Sequence, residues 1–261
     1  MRGFRILVTL SGLLLAWQAL VWVTGAPPYM LPPPLAVAET AIARAGQLAE
    51  HAAVTGLEIL LGLLYGTLLG SVSALVMAAF RPAQRWLMPI LVISQALPVF
   101  ALAPLLVLWF GYGLASKVAM AALIIYFPVT AALYDGLRRT DPGWLDLAHT
   151  MGATRWAILR HLRLPAAMPA FASGLRVATA VAPIGAVVGE WVGSSAGLGY
   201  LMLHANARMQ IDVMFAALLV LAVMAVSLYY GIDWGLRRAL PWQPETDPAS
   251  HPAERHTSEQ S

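Results

Sequence analysis

Asp146-Leu147-Ala148-His149-Thr150-Met151-Gly152, followed after nine residues by Leu162-Arg163-Leu164-Pro165, interrupts a chain otherwise built of long apolar runs. Just upstream, Thr140-Asp141-Pro142 offers a side-chain acceptor for free helix amides and then a proline, whose missing N–H costs nothing at the first helical position. A short helix is therefore predicted to start there, with Leu145, Ala148 and Met151 on one face. Gly152 suits the left-handed conformation that ends such a helix. Thr154 is placed to cap a second helix through Trp156, Ile158, Leu159 and Leu162. Leu164-Pro165 is predicted to end it, because a residue before proline is pushed out of helical geometry. The segment 140–165 thus reads as a helix–turn–helix with apolar knobs and Arg155, Arg160 and Arg163 projecting. An amphipathic loop resting on lipid headgroups is a second reading of the same residues.

The rest of the chain sets the solvent. Of 261 residues 59% are apolar and 11% charged, with mean hydropathy +0.71, far from the quarter or so of charged residues in a soluble domain. The composition is that of an integral membrane protein. With no cysteine, disulfides, thiolate catalysis and Cys-ligated metals are excluded. A net charge of +3 gives no nucleic-acid footprint.

Runs long enough to cross a hydrocarbon core fall at 6–24, 55–80, 87–110, 114–136, 166–190 and 209–232, so six transmembrane helices are expected in an all-α polytopic protein. Arg2 and Arg5 ahead of the first run also fit a signal peptide, but no small-residue cleavage pattern follows, and residues 1–24 are read as an uncleaved first transmembrane helix. Residues 25–54 form an outer loop. Its Pro27-Pro28-Tyr29-Met30-Leu31-Pro32-Pro33-Pro34 cannot be helical, and a short surface helix follows over 35–48. Residues 55–240 form the transmembrane core, including the insert 140–165. The polar, proline-containing tail 241–261 is expected to be disordered.

With the N-terminus in the cytosol, Arg2, Arg5, Arg81, Arg85, Arg138, Arg139, Arg155, Arg160, Arg163, Arg237, Arg238 and Arg255 fall inside, whereas Arg44, Lys117 and Arg208 fall outside. Basic residues stay on the cytosolic side, so both termini and the insert are placed there.

Within the spans, Gly62, Gly66 and Gly70 line one helix face with small residues that favour close packing. Pro98 and Pro104 interrupt the third run, Pro128 the fourth and Pro183 the fifth, as suits either a pathway wall or ordinary bent packing. Arg176 lies deep in the fifth run, where it either snorkels or pairs structurally, or serves a gate. Glu190, at the outer end of that run, either meets water or contacts solute or a delivering protein, and Glu58 is read as interfacial. Pro98, Pro104, Arg176, Pro183 and Glu190 are therefore the candidates for a translocation pathway or gate.

Gly193-Ser194-Ser195-Ala196-Gly197-Leu198-Gly199 lacks the Lys-Ser/Thr ending of a phosphate loop and reads as an outer gate loop. His149, His161 and His204 have no partners for a metal site, and no catalytic set emerges, so the chain is read as a non-catalytic membrane subunit. An ion-gradient-driven transporter is the alternative of another class, but it needs intramembrane titratable groups, and only Arg176 lies deep within a run.

The insert resembles the cytosolic signature of ATP-binding-cassette importer permeases: Glu-Ala-Ala, three residues, Gly, nine residues, Ile, any residue, Leu-Pro. Here it reads Asp146-Leu147-Ala148, Gly152, Leu162 and Leu164-Pro165, departing by Asp for Glu, Leu for the first Ala and Leu for Ile. The resemblance runs from about Pro32 to Trp242. Gln95-Ala96-Leu97-Pro98 through Leu108-Trp109-Phe110-Gly111, and Gly189-Glu190-Trp191 through Gly197-Leu198-Gly199-Tyr200, resemble the branch handling nitrate, taurine, other sulfonates and thiamine-precursor pyrimidines. Within it, Ala101-Leu102-Ala103-Pro104-Leu105 and the stretch from Val188-Gly189-Glu190-Trp191 to Gly197-Leu198-Gly199-Tyr200 resemble the hydroxymethylpyrimidine permeases.

The resemblance implies a type I importer permease fold in a bacterial inner membrane. It also implies an ATPase contact built from Asp146, Leu147, Ala148, Met151, Gly152, Ala153, Thr154, Trp156, Leu159, Leu162, Leu164 and Pro165. It further implies a separate cytosolic ABC ATPase dimer that holds ATP and Mg, no cofactor on this chain, an extracytoplasmic solute-binding protein, and a second copy of the permease, all set in lipid. The expected cargo is hydroxymethylpyrimidine or a related thiamine precursor, with sulfonate, taurine or nitrate as the alternative.

Overall fold

The computed structural model describes residues 2–242, so nearly all of the tail expected to be disordered, 243–261, lies outside the described residues. The helices are α1 (Arg2–Thr24), α2 (Pro34–Ala43), α3 (Ala45–Ala79), α4 (Arg81–Ala96), α5 (Val99–Phe110) and α6 (Leu114–Arg138). There follow α7 (Pro142–Thr150), α8 (Arg155–Ile158), a π-helical segment (Leu159–Arg163), α9 (Leu164–Gly193), α10 (Leu198–Ala207) and α11 (Ile211–Ala239). No strand occurs among the described residues.

Among those residues four helical columns are long and apolar enough to span a membrane: Ala45–Ala79, Leu114–Arg138, Arg155–Gly193 and Ile211–Ala239. Six runs were expected, and these four are the ones that are long and apolar enough among the described residues. The run 87–110 is two helices, α4 and α5, bent by 105°, and makes a fifth span only if the pair is counted as one. Leu97 is extended (φ −81°, ψ 125°) because the ring of Pro98 disfavours helical geometry in the residue before it. The run 6–24 is helical throughout α1, and Ser11–Thr24 is apolar.

The core is a three-helix seam. Gly62 and Gly66 of α3 face Ala121, Ala122 and Ile125 of α6, and Gly70 faces Tyr126, Val129 and Thr130. A Cβ at Gly66 would come within 2.7 Å of the Ile125 side chain, so only a glycine permits this approach. On its other side α6 packs on α9 through Ala178, Ala182 and Ala186, which join Ile59, Leu63, Ala121, Ile125 and Val129 in one buried cluster. Small residues at matching heights thus bring three columns together without a hydrophobic driving force from water. A second cluster, Val37, Leu48, Leu198, Leu201, Ala205 and Val213 among it, packs α2 and α10 against α3 and α11. Leucines and valines elsewhere, such as Leu64, Leu68, Val223 and Val226, remain exposed on the outer faces of α3 and α11.

Candidate coupling element and buried polar network

At the end of the bundle where α6 stops, the Asp141 side chain accepts the Gly143 amide at 2.7 Å and starts α7 at Pro142. Gly152 ends the turn at φ +75°, and the Ala153 amide returns to the Ala148 carbonyl at 3.0 Å. The Thr154 hydroxyl then accepts the Ala157 amide at 3.2 Å to start α8. The predicted helix–turn–helix is present, with one correction. Leu164-Pro165 does not end the second helix: α8 passes through the π segment directly into α9, and Leu164 stays helical (φ −66°, ψ −50°). Pro165 sits in the first turn of α9, and the wider π turn before it accommodates a residue that brings no N–H and would crowd the carbonyl four positions back.

The element divides into an anchored half and a free half. Ile158 and Leu159 are buried; Leu159 packs with Met77, Leu133, Tyr134, Leu137 and Ala167. Arg163 donates from Nε (3.0 Å) and Nη2 (2.8 Å) to the Leu137 carbonyl, satisfying the end of α6 with a charge-assisted pair. By contrast α7 has no buried residue, and Trp144, Leu147, Met151 and Trp156 are 56–78% exposed. Asp146 is exposed beside them, Ala148, Ala153, Leu162 and Leu164 are half-buried, and Pro165 is exposed.

Glu190, at the opposite end of α9, is 1% exposed. It accepts Thr55 Oγ1 at 2.6 Å through Oε1, and the amides of Gly199 and Tyr200 through Oε2. Thr55 Oγ1 in turn accepts the Leu198 amide at 2.8 Å, and His51 Nδ1 accepts the Gly197 amide at 3.0 Å. Four consecutive amides at the start of α10, which no helix can satisfy internally, therefore all end on side chains of α3 and α9. One turn further along α3, Glu58 is fully buried and lies 3.3 Å from Lys117 Nζ of α6. This corrects two expectations: Glu58 is not interfacial, and Lys117 is not a loop residue. Both fall inside because Gly189 lets α9 pack directly on the Lys117 backbone.

The remaining candidates are dispersed. Arg176 pairs with Asp233 of α11 at 2.6 Å, and Asp233 also holds Arg237 at 2.8 Å. Pro183 is buried inside α9, whereas Pro98 and Pro104 are exposed on the bent α4–α5 pair. The reading from the residues missed Thr55, His51, Lys117 and Asp233. A signal existed for some of them: His51, Thr55 and Glu58 recur at helical spacing on one face of α3.

Residues 66–240 match the family described as binding-protein-dependent transport system inner membrane component. A probable ABC transporter permease protein of Haemophilus influenzae is 59% identical over 91% of this chain and 97% of its own length. The formylaminopyrimidine transport permease ThiX of Halalkalibacterium halodurans is 36% identical (88% and 92%), and the taurine permease TauC of Escherichia coli 30% identical (91% and 89%). An amino acid ABC transporter solved with histidines superposes with a TM-score of 0.64 at 17% identity, over 76% of this chain and 97% of that one. The chain belongs to the binding-protein-dependent transport family and is the membrane permease subunit of an ABC importer. Such subunits are non-catalytic and bind no cofactor themselves: a separate ATPase uses the nucleotide, and a solute-binding protein is the other partner of the system.

Proposed function

We propose that α7 and α8 are the surface on which the ATPase subunit acts, and that the permease works as a pair of identical copies carrying a thiamine-precursor pyrimidine into the cytosol. The observation that carries the first part is the division of the 140–165 element: apolar knobs of α7 lie free while Ile158, Leu159 and Arg163 fix the other half to the bundle. A free apolar face joined rigidly to a spanning column suits a part that receives force and passes it on. Asp146 to Thr154 and Trp156 form the contact; Leu159, Leu162, Leu164 and Pro165 form the root.

The charge distribution supports placing this face, with both termini, in the cytosol of a bacterial inner membrane. Glu190 and the α10 end then lie outside, toward the solute-binding protein. Apolar faces such as that of Leu64 and Leu68 are left for lipid or for the second copy. Hydroxymethylpyrimidine or a related precursor as cargo is supported by the likeness to the formylaminopyrimidine permease; sulfonate or taurine is the second reading, from the likeness to the taurine permease. The test is uptake by proteoliposomes holding permease, ATPase and solute-binding protein. ATP-dependent accumulation of labelled hydroxymethylpyrimidine that excess taurine and nitrate fail to compete away is expected. Accumulation that tracks a proton gradient without ATP counts against the whole reading.

A further inference from the structure

We infer that Glu190 is a positioning residue for transport: with Thr55 and His51 it latches the N-terminus of α10, and release of that latch accompanies opening of the outer end of the pathway. This rests on the reading that places α10 outside.

The geometry is specific. The side chains come from two different spanning columns, whereas the amides come from the short helix between α9 and α11. Gly197 sits at φ +113°, and any Cβ there would collide with the Glu190 carboxylate, so loop and acid are fitted to each other. The Tyr200 ring stacks on His51, 6.1 Å away, and meets the tilted ring of His204, 3.9 Å away, adding aromatic contacts to the clamp.

Electrostatics makes the latch conditional. Glu190 lies beside a second buried acid, Glu58, which takes the buried Lys117 as its partner, so the positive end of α10 is the favourable partner of Glu190. If α10 moved away in a dry bundle, the buried Glu190 side chain would lose its amide donors and be left with unsatisfied oxygens, which is costly. Once water reaches it, hydration replaces those donors. Undocking of α10 and wetting of the outer end therefore favour each other, and a docked α10 favours the closed end.

The chain has no cysteine, so paired cysteines report cleanly. In the complete reconstituted importer, His51→Cys with Tyr200→Cys, bridged by a short bis-methanethiosulfonate, is expected to lose nearly all uptake and to recover it on reduction. Either single variant is expected to show the same uptake with the reagent as without it, so the loss is read against the same double variant before bridging. Full uptake with the bridge in place overturns the latch. Independently, Thr55→Val is expected to raise ATP hydrolysis in the absence of solute-binding protein by about tenfold, with uptake per ATP falling, because a two-state balance shifts when buried hydrogen bonds of one state are lost. Thr55→Ser, which keeps the hydroxyl, is expected to behave as the parent. A Thr55→Val importer with parental hydrolysis and parental uptake per ATP also overturns it. Nucleotide dependence of uptake in the unbridged parent reports separately on the function assigned above.

Discussion

Gly152 is held at φ +75°, where an L side chain is strained by about 1–2 kcal/mol and a β-branched one by more. Nothing lies within 4 Å of where its Cβ would be, so the conformation alone excludes larger residues. Gly152→Val is expected to abolish uptake and weaken co-purification of the ATPase, whereas Gly152→Asn, which tolerates this conformation, keeps both; unchanged co-purification in the valine variant would count against the turn as part of the contact. Glu58 and Lys117 present a different residue-scale problem. Removing one partner leaves a buried charge alone and is expected to cost about 3–5 kcal/mol, whereas Glu58→Leu with Lys117→Met together costs less than either alone. Thermal unfolding in nanodiscs across the four variants measures this, and additive losses would sink the pairing.

At the scale of elements, the seam between α3 and α6 depends on close approach. Gly66→Leu drives a side chain into Ile125 and the Ala122 carbonyl and is expected to destabilise by about 1–3 kcal/mol, the usual cost of overpacking. Gly231→Leu on α11 meets nothing within 4 Å and serves as the comparison; equal melting temperatures for the two variants would contradict the seam. The glycine face, the helix start at Asp141-Pro142 and the turn at Gly152 were legible in the chain because each is a local rule: spacing, capping and backbone freedom. Pro165 misled for a related reason. The rule that a proline ends a helix is local, but proline is also at home in a first turn, and the wider π turn before it lets α8 and α9 join. The bend between α4 and α5 was illegible because hydropathy is blind to direction: the two are jointly apolar enough for one span yet turn by 105° at Leu97-Pro98. The pairings of Thr55, Lys117 and Asp233 were illegible because their partners lie 57 to 135 positions away in sequence, and only the packed seam brings them together.

For the whole molecule, orientation is the statement with the plainest readout. The parent has no cysteine, so Met151→Cys and Arg208→Cys, both exposed, label independently with an impermeant maleimide. In intact cells Arg208→Cys is expected to react and Met151→Cys only after permeabilisation; the reverse order would invert the topology. Both sites bear on a single object, because Arg155–Gly193 is one uninterrupted column of 39 residues. At 1.5 Å per residue it measures about 58 Å, so a tilt of about 5° around its middle carries each tip roughly 2.5 Å. That excursion is nearly the length of the bond between Thr55 and Glu190. A nudge at one face of the bilayer therefore needs no unfolding and no gearing through intermediate parts to snap a contact at the other. On the proposed coupling and latch, the column would work as a see-saw, and its stiffness, more than the strength of any one bond on it, would set how faithfully a stroke at one end becomes an opening at the other.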